Sequence, residues 1–462
     1  MILKLALRSL AVRPIRTAVL ACGFGLGIAV MAELLGVGDV ILDQARSPAL
    51  QGGGDLVVSG AFGAIDNAPY VLSVVRGAIG TRSRVVAASP TRRASMYLIK
   101  PGMVVPILAR GGVPSLERAV GDKEAAGVAG WTDAPADARW TTDDPAEVLR
   151  AMDRFHRPPD IPEFTSSWAE WLYFNGRTAD GRVRFYLTFL VGPATRPGIR
   201  SAGVRLQLDR DGRVSNYSAR SDVDEQSVLD RAPNLDIGGN RVRLDGLRYH
   251  ISLRLRSEAD SSEIDAQLTL DPDAGRSLPP LVIRGARGWH SGYVVPVLSG
   301  RMSGRVTVGR ETISLDGASG YHDHNWGFWR DVRWQWGQVA DGDLSLVYGR
   351  VFPPADVADP ERMPGFLGVL DRQGLVGVAT NVSIVEETAA GAPRTIDVTA
   401  RGNAIDLRLT FSVDRSVRTA FAMTGGANDF LQLGGTYRVE GHAGNRTIDF
   451  TARGAAETFR PR

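Results

Sequence analysis

Short alternating runs dominate the chain after Pro162. "RVRFYLTFLV", "VRLQL", "YHISLRLR", "IDAQLTL", "RVTV" and "TISL" follow one another, with turn signals at Asp180-Gly181, Asp211-Gly212 and Gly238-Gly239-Asn240. Successive side chains of a strand face opposite sides, so each run can bury one face and wet the other. After Trp336 the pattern resumes with "LSLVYGRV", "FLGVL", "TIDVTA", "AIDLRLTF", "YRVEG" and "TIDFTAR". So many short strands, with almost no helical period, predict antiparallel barrels or sandwiches. They exceed what one barrel holds, which predicts two β domains in tandem with a boundary near Asp331.

The N-terminal part reads differently. "TAVLACGFGLGIAVMAELLGVG", Thr17 to Gly38, carries one charge, Glu33. As a helix it reaches roughly 33 Å, close to the ~30 Å of a bilayer's hydrocarbon core. Lys4, Arg8, Arg13 and Arg16 precede it and place the N-terminus in the cytoplasm, with the remainder outside. A retained single-span anchor is favoured over a cleaved signal peptide, because the cleavage-site pattern after the apolar run is weak. No second segment approaches spanning length, so the chain forms no transport pathway alone. Cys22 is the only cysteine, which excludes an intrachain disulfide and a cysteine metal cluster. The net charge of +3, with no basic block, gives no footprint for nucleic acid.

Between these parts, Gln51 to Lys100 is mixed, with strand-like "DLVVSG" and "RVVAAS". Gly111 to Pro162 is polar and proline-dotted. A short helix is predicted near Pro145 to Phe155, capped by Asp143 or Asp144 and started by Pro145. The remainder reads as a linker or a lid. The division expected is 1–45 as cytoplasmic stub and anchor, 46–161 as external segment and linker, 162–331 as the first β domain and 332–462 as the second.

The chemistry-bearing stretch is "GYHDHNWGFW", Gly320 to Trp329, which holds two of the six histidines. In a strand His322 and His324 share a face, as a His-x-His metal pair must. A third ligand would come from His156, His250, His290, His442 or a carboxylate, none at a recognisable spacing, so no metal is expected. Asp323 and Asn325 face the other way. An aspartate buried in an apolar cavity has its pKa raised and can protonate an alkene, while Trp326, Trp329, Trp334 or Trp336 stabilise the cation. The plainer alternative is a polar strand corner between domains. A second aromatic cluster, "SSWAEWLYFNGR", sets Glu170 among Trp168, Trp171, Tyr173 and Phe174, either as a functional acid or as a partner for an arginine.

"EWLYFNG" and "GYHDHNWG", followed by "WQWGQV" and "LSLVYGRV", resemble the hydroxyneurosporene synthase (carotenoid 1,2-hydratase) family, with its AttH-like and fungal Diels–Alderase relatives. The resemblance spans Pro162 to the C-terminus. The first motif more often reads Glu-Trp-Trp, where this chain has Glu170-Trp171-Leu172. It implies two lipocalin-like β domains, an apolar cavity within or between them, and cofactor-free addition of water to, or cyclisation of, isoprenoid double bonds. "LALRSLAVRPIRTAVLACGFGLGIAV" and "GGGDLVVSG" resemble the opening of FtsX/MacB-type ABC permeases, of which only the first span is present.

Together these give a mainly β protein, two lipocalin-like antiparallel β-barrel or sandwich domains preceded by one transmembrane helix. It is expected at the inner membrane with its β domains periplasmic. The expected ligand is an apolar lipid or isoprenoid, and the expected partner an ABC transporter ATPase or permease. Asp323 is the expected proton donor, His322 or His324 orients water, and Glu170 is a second acid. Trp171, Tyr173, Asn325, Trp326, Trp336 and Tyr348 are expected to line the ligand site. No cofactor is implied. The rival is a lipid-binding accessory protein with the same cavity and no chemistry.

Overall fold

The computed structural model describes residues 68–77 and 85–461, except 102, 142, 143, 261, 390, 403, 424 and 425, together with scattered positions before residue 66. Almost all of the expected span, Thr17 to Gly38, lies outside the described residues. Among those described, no helix is long and apolar enough to cross a membrane. Two compact units result, Met1–Ile65 with Arg82–Thr141, and Asp66–Thr81 with Thr142–Arg462.

In the first unit a hairpin pairs Thr91–Lys100 with Met103–Gly112. The strand starts beyond "RVVAAS", whose residues 85–89 have no regular structure. Arg110 on the hairpin reaches Glu117, Asp122 and Glu124.

The second unit holds two large antiparallel sheets. The first is built from β1 (Trp168–Arg177), β2 (Val183–Arg196), β3 (Ile199–Arg210), β4 (Arg213–Asp224), β5 (Arg248–Ser257), β6 (Glu263–Pro272), β7 (His290–Val308) and β8 (Ala318–Phe328). Each strand pairs with the next in sequence, and β8 pairs with β1, so the eight strands close into an up-and-down, lipocalin-like barrel. The closure is thinnest between β4 and β5, where only Tyr217–Ser257 and Ser218–Arg256 are in register. The barrel is filled by alternate residues of each strand, among them Leu172, Phe174, Phe185, Leu187 and Phe189.

The second sheet comprises β9 (Arg333–Asp341), β10 (Leu344–Phe352), β11 (Phe366–Asp371), β12 (Gly374–Ala379), β13 (Asn381–Ala389), β14 (Ala392–Gly402), β15 (Ile405–Met423), β16 (Gly426–Ala443) and β17 (Arg446–Pro461). It follows the same neighbour-to-neighbour rule, with β9 pairing β17. Among the described residues no ladder joins β12 to β13, so this sheet curls without closing. Its own core includes Val339, Leu346, Tyr348, Phe411 and Tyr437.

The segment before β1 is a plug rather than a linker. The expected helix forms over Pro145–Met152, with Asp144 accepting from Ala146 N at 2.9 Å and Pro145 at its first turn. It delivers Leu149 into the barrel core, and the chain beyond it adds Asp153 and Phe155. At the far end of β8, Gly327 has φ 138°, and a Cβ there would meet His290 O, so the glycine permits the strand to leave the barrel.

Candidate functional site

Strand alternation divides the motif into two sites. His322, His324 and Trp326 stand opposite Phe174, Leu172 and Glu170 of β1 and face the barrel interior. Tyr321, Asp323 and Asn325 stand opposite Asn175, Tyr173 and Trp171, and face the second sheet. The catalytic set expected from sequence therefore does not assemble: Asp323 cannot share one pocket with His322, His324 and Glu170, because adjacent residues of a strand point apart.

The interior site is a chain of buried charges. Asp153, fully buried, accepts from Tyr249 OH at 2.6 Å and lies 2.9 Å from His322 Nε2. The other nitrogen of His322 faces Tyr173 O at 2.9 Å, and its ring stacks on Phe174. His324 bridges the two acids, with Nε2 2.9 Å from Glu170 Oε1 and Nδ1 3.6 Å from Asp153 Oδ1. At that length the second contact is an ion pair, and Asp153 Oδ1 has no hydrogen-bond partner. Glu170 also takes the backbone N–H and Nδ1 of His156.

Burial alone would raise both acids, but His322 and His324 outweigh it at Asp153, and His156 with His324 outweighs it at Glu170, so both stay below their ordinary values. Burial likewise opposes the charge on His324, yet Asp153 and Glu170 lift it to about 9. His156, Glu170 and His324 place one ligand atom each within 4.8 Å of one another, as a metal site would require. The two imidazoles contact the same Glu170 oxygen, at 2.8 and 2.9 Å, and so form a hydrogen-bonded network with it. The free space beside it, between Phe155, Glu170 and Val228, is about 10 Å³, room for one water.

The second site is the seam where the outer face of β1, β2 and β8 meets β9 and β17. Asp323 is 4% exposed there; Tyr321 OH donates to its Oδ2 and Asn325 Nδ2 to its Oδ1, both at 2.7 Å. Tyr321 OH lies 2.8 Å from Tyr293 OH, which accepts from Trp336 Nε1 at 2.9 Å. Across the seam Tyr173 OH donates to Glu457 Oε1 at 2.6 Å. Burial pushes Asp323 well above the carboxylate range, against the pull of Tyr321, and Glu457 adds to the rise. Burial likewise pushes Glu457 to about 7.

Of the expected lining residues, Trp171, Tyr173, Asn325 and Trp336 lie at or beside this seam. Trp326 lies inside the barrel end, stacked on His156 at 4.3 Å. Tyr348 sits in the core of the second sheet, bonded to Tyr437 OH at 3.0 Å, because it shares a strand face with Leu344 and Leu346. Sequence reading missed Asp153, Tyr293 and Glu457. It also missed Tyr321, although Tyr321 is two residues from Asp323 and so must share its face.

No family model matches the sequence, and no curated protein matches it. Similar solved structures include kievitone hydratase from Nectria haematococca, at 13% identity and TM-score 0.42, covering 64% of this chain and 89% of that one. CghA matches at 12% identity and TM-score 0.43, covering 67% and 94%. CghA with Sch210972 matches at 11% and 0.41, covering 69% and 95%.

Proposed function

We propose that the chain is a cofactor-free acid catalyst of the hydratase or isomerase type, with Asp323 protonating a carbon–carbon double bond of an apolar, isoprenoid-like lipid at the seam. The observation that carries this reading is the burial of Asp323 among Tyr173, Tyr293, Tyr321 and Trp336, where no arginine or backbone amide among the described residues holds it ionised. A neutral carboxylic acid can deliver its proton, and the rings around it offer π faces to the carbocation that follows. Water adding to that cation gives a hydrated product; loss of a neighbouring proton gives an isomer. The proton released by the adding water, or by the neighbouring carbon, returns to the Asp323 carboxylate, which the hydrogen bonds of Tyr321 and Asn325 hold in place. The interior network of Asp153, His322, His324 and Glu170 acts from behind, fixing β8 and thereby the position of Asp323.

The proposal places the protein at the inner membrane through Thr17 to Gly38, with its β sheets outside the cytoplasm. It takes the hydroxyneurosporene synthase resemblance as the source of the substrate class and the FtsX/MacB resemblance as the source of an ABC-transporter partner. One observation favours the accessory reading without chemistry: both oxygens of Asp323 already accept hydrogen bonds from the protein.

Lipid extraction from detergent-purified wild type and Asp323→Asn, followed by mass spectrometry, separates the two. A bound polyene that is hydrated or isomerised only with wild type supports the enzyme. The same unmodified lipid on both supports the carrier, and no lipid on either removes the ligand class.

A further inference from the structure

One end of the same seam gathers three arginines, of which one, Arg453, is paired with an acid. Arg177 on β1 and Arg184 on β2 are direct cross-strand partners on the barrel's outer face. Arg453 of β17 reaches the same cleft, which has a volume of about 100 Å³ and is lined also by Asn175, Tyr186 and Gln338. Like charges opposite one another in a ladder repel, and a buried guanidinium without a partner is costly.

Arg184 is 6% exposed, and its Nε has no hydrogen-bond partner. Among the described residues the two nearby acids are already engaged. Asp209, the β3 partner of Arg184, takes Arg415 Nη1 at 2.7 Å, and Asp414 takes Arg453. Burial, then the charges of Arg184 and Arg453, pull Arg177 below its ordinary value. The guanidinium of Arg184 lies against Gly434 of β16, where a Cβ would overlap its Nη1. The glycine thus makes room for a guanidinium that, among the described residues, has no ion pair with an acid.

We infer that this cleft is an anion-binding site, in which Arg177, Arg184 and Arg453 hold a carboxylate or phosphate monoester group. Guanidinium groups bind such groups through paired N–H donors, and the unpartnered Nε–H of Arg184 supplies a donor already desolvated. The cleft's volume suits the head group alone, and from there the seam runs along β1 and β8 toward Tyr173 and Asp323. The group is therefore either a free small anion or the head of an amphiphile whose tail follows that course. The inference does not depend on proton transfer at Asp323: the site binds anions whether or not that residue reacts.

Calorimetric titration of the full chain in a non-ionic detergent tests this, with inorganic phosphate, acetate and octyl phosphate as probes at ionic strength matched with chloride. Wild type is expected to bind at least one of them saturably, and Arg184→Gln at least 10-fold more weakly. Gly434→Ala keeps all three charges but displaces the guanidinium, and it is expected to weaken binding to a similar degree. Arg182→Gln, on the exposed turn and paired with Asp211, is expected to bind as wild type does. Octyl phosphate binding 10-fold or more tightly than inorganic phosphate identifies an amphiphile; equal affinities identify a free anion. The inference is overturned if folded wild type binds none of the probes saturably, or if Arg184→Gln and Gly434→Ala bind them unchanged.

Discussion

His322 and Asp323 are neighbours in the chain and serve opposite faces of β8. The histidine lies 2.9 Å from Asp153 within the barrel, and the aspartate accepts from Tyr321 at 2.7 Å in the seam. One strand thus carries an ionised network on one side and an acid with a raised pKa on the other. The two respond differently to substitution and to pH.

Asp323→Asn replaces an acid that burial pushes well above the carboxylate range with a neutral amide of the same shape. Its unfolding midpoint is expected to stay within a few degrees of wild type, while conversion of the lipid falls by about 100-fold or more. Circular dichroism melting beside product analysis checks both halves.

Tyr321→Phe removes the hydrogen bond that lowers the Asp323 pKa against burial. Catalysis needs the protonated acid, so activity declines as pH rises through that pKa. The substitution is expected to move the declining limb of the pH–rate profile to higher pH. A purely structural tyrosine would reduce the rate at every pH and leave the limb in place.

Glu457 has a folded-state value near 7, above its ordinary 4.5. Between those values the folded protein retains a proton that the unfolded chain has lost, so stability falls as pH rises across the window. Integrated over it, the loss is about 3 kcal/mol. Glu457→Gln is expected to reduce this slope, as read from denaturant midpoints at pH 4.5, 6 and 7.5, and to leave the part that Asp323 and His324 contribute.

The interior network has the reverse dependence on its acid side. The contribution of His324, with a value raised to about 9, is fully present below its ordinary 6.5 and is lost as pH rises through 9. Asp153 and Glu170 are lowered, so their contribution is present above the ordinary carboxylate values and is lost as pH falls. His324→Gln leaves two buried carboxylates without the charge between them, and is expected to cost about 3–5 kcal/mol at pH 7. Urea denaturation measures this directly.

Local alternation made much of this arrangement legible. "YHDHNW" read as a strand assigns Asp323 and Asn325 to one face and His322, His324 and Trp326 to the other. The turn at Asp180-Gly181 sets Arg177 opposite Arg184. Long-range register was not legible. Asp153 acts because a proline-rich segment plugs the barrel, and nothing in "AMDRFH" announces that. Glu457 reaches Tyr173 across 284 residues, through the pairing of β17 with β9. Tyr348 was misplaced because an aromatic residue in a strand reads equally as cavity wall or core, and only the face it shares with Leu346 decides.

The most direct test of proton donation is to supply a linear isoprenoid polyene in D₂O and follow deuterium at carbon by mass spectrometry. Wild type is predicted to give a hydrated or isomerised product carrying one non-exchangeable deuterium, and Asp323→Asn to bind the polyene without labelling it. Labelled product formed equally by both proteins, or by neither when both bind the polyene, would contradict Asp323 as the proton donor.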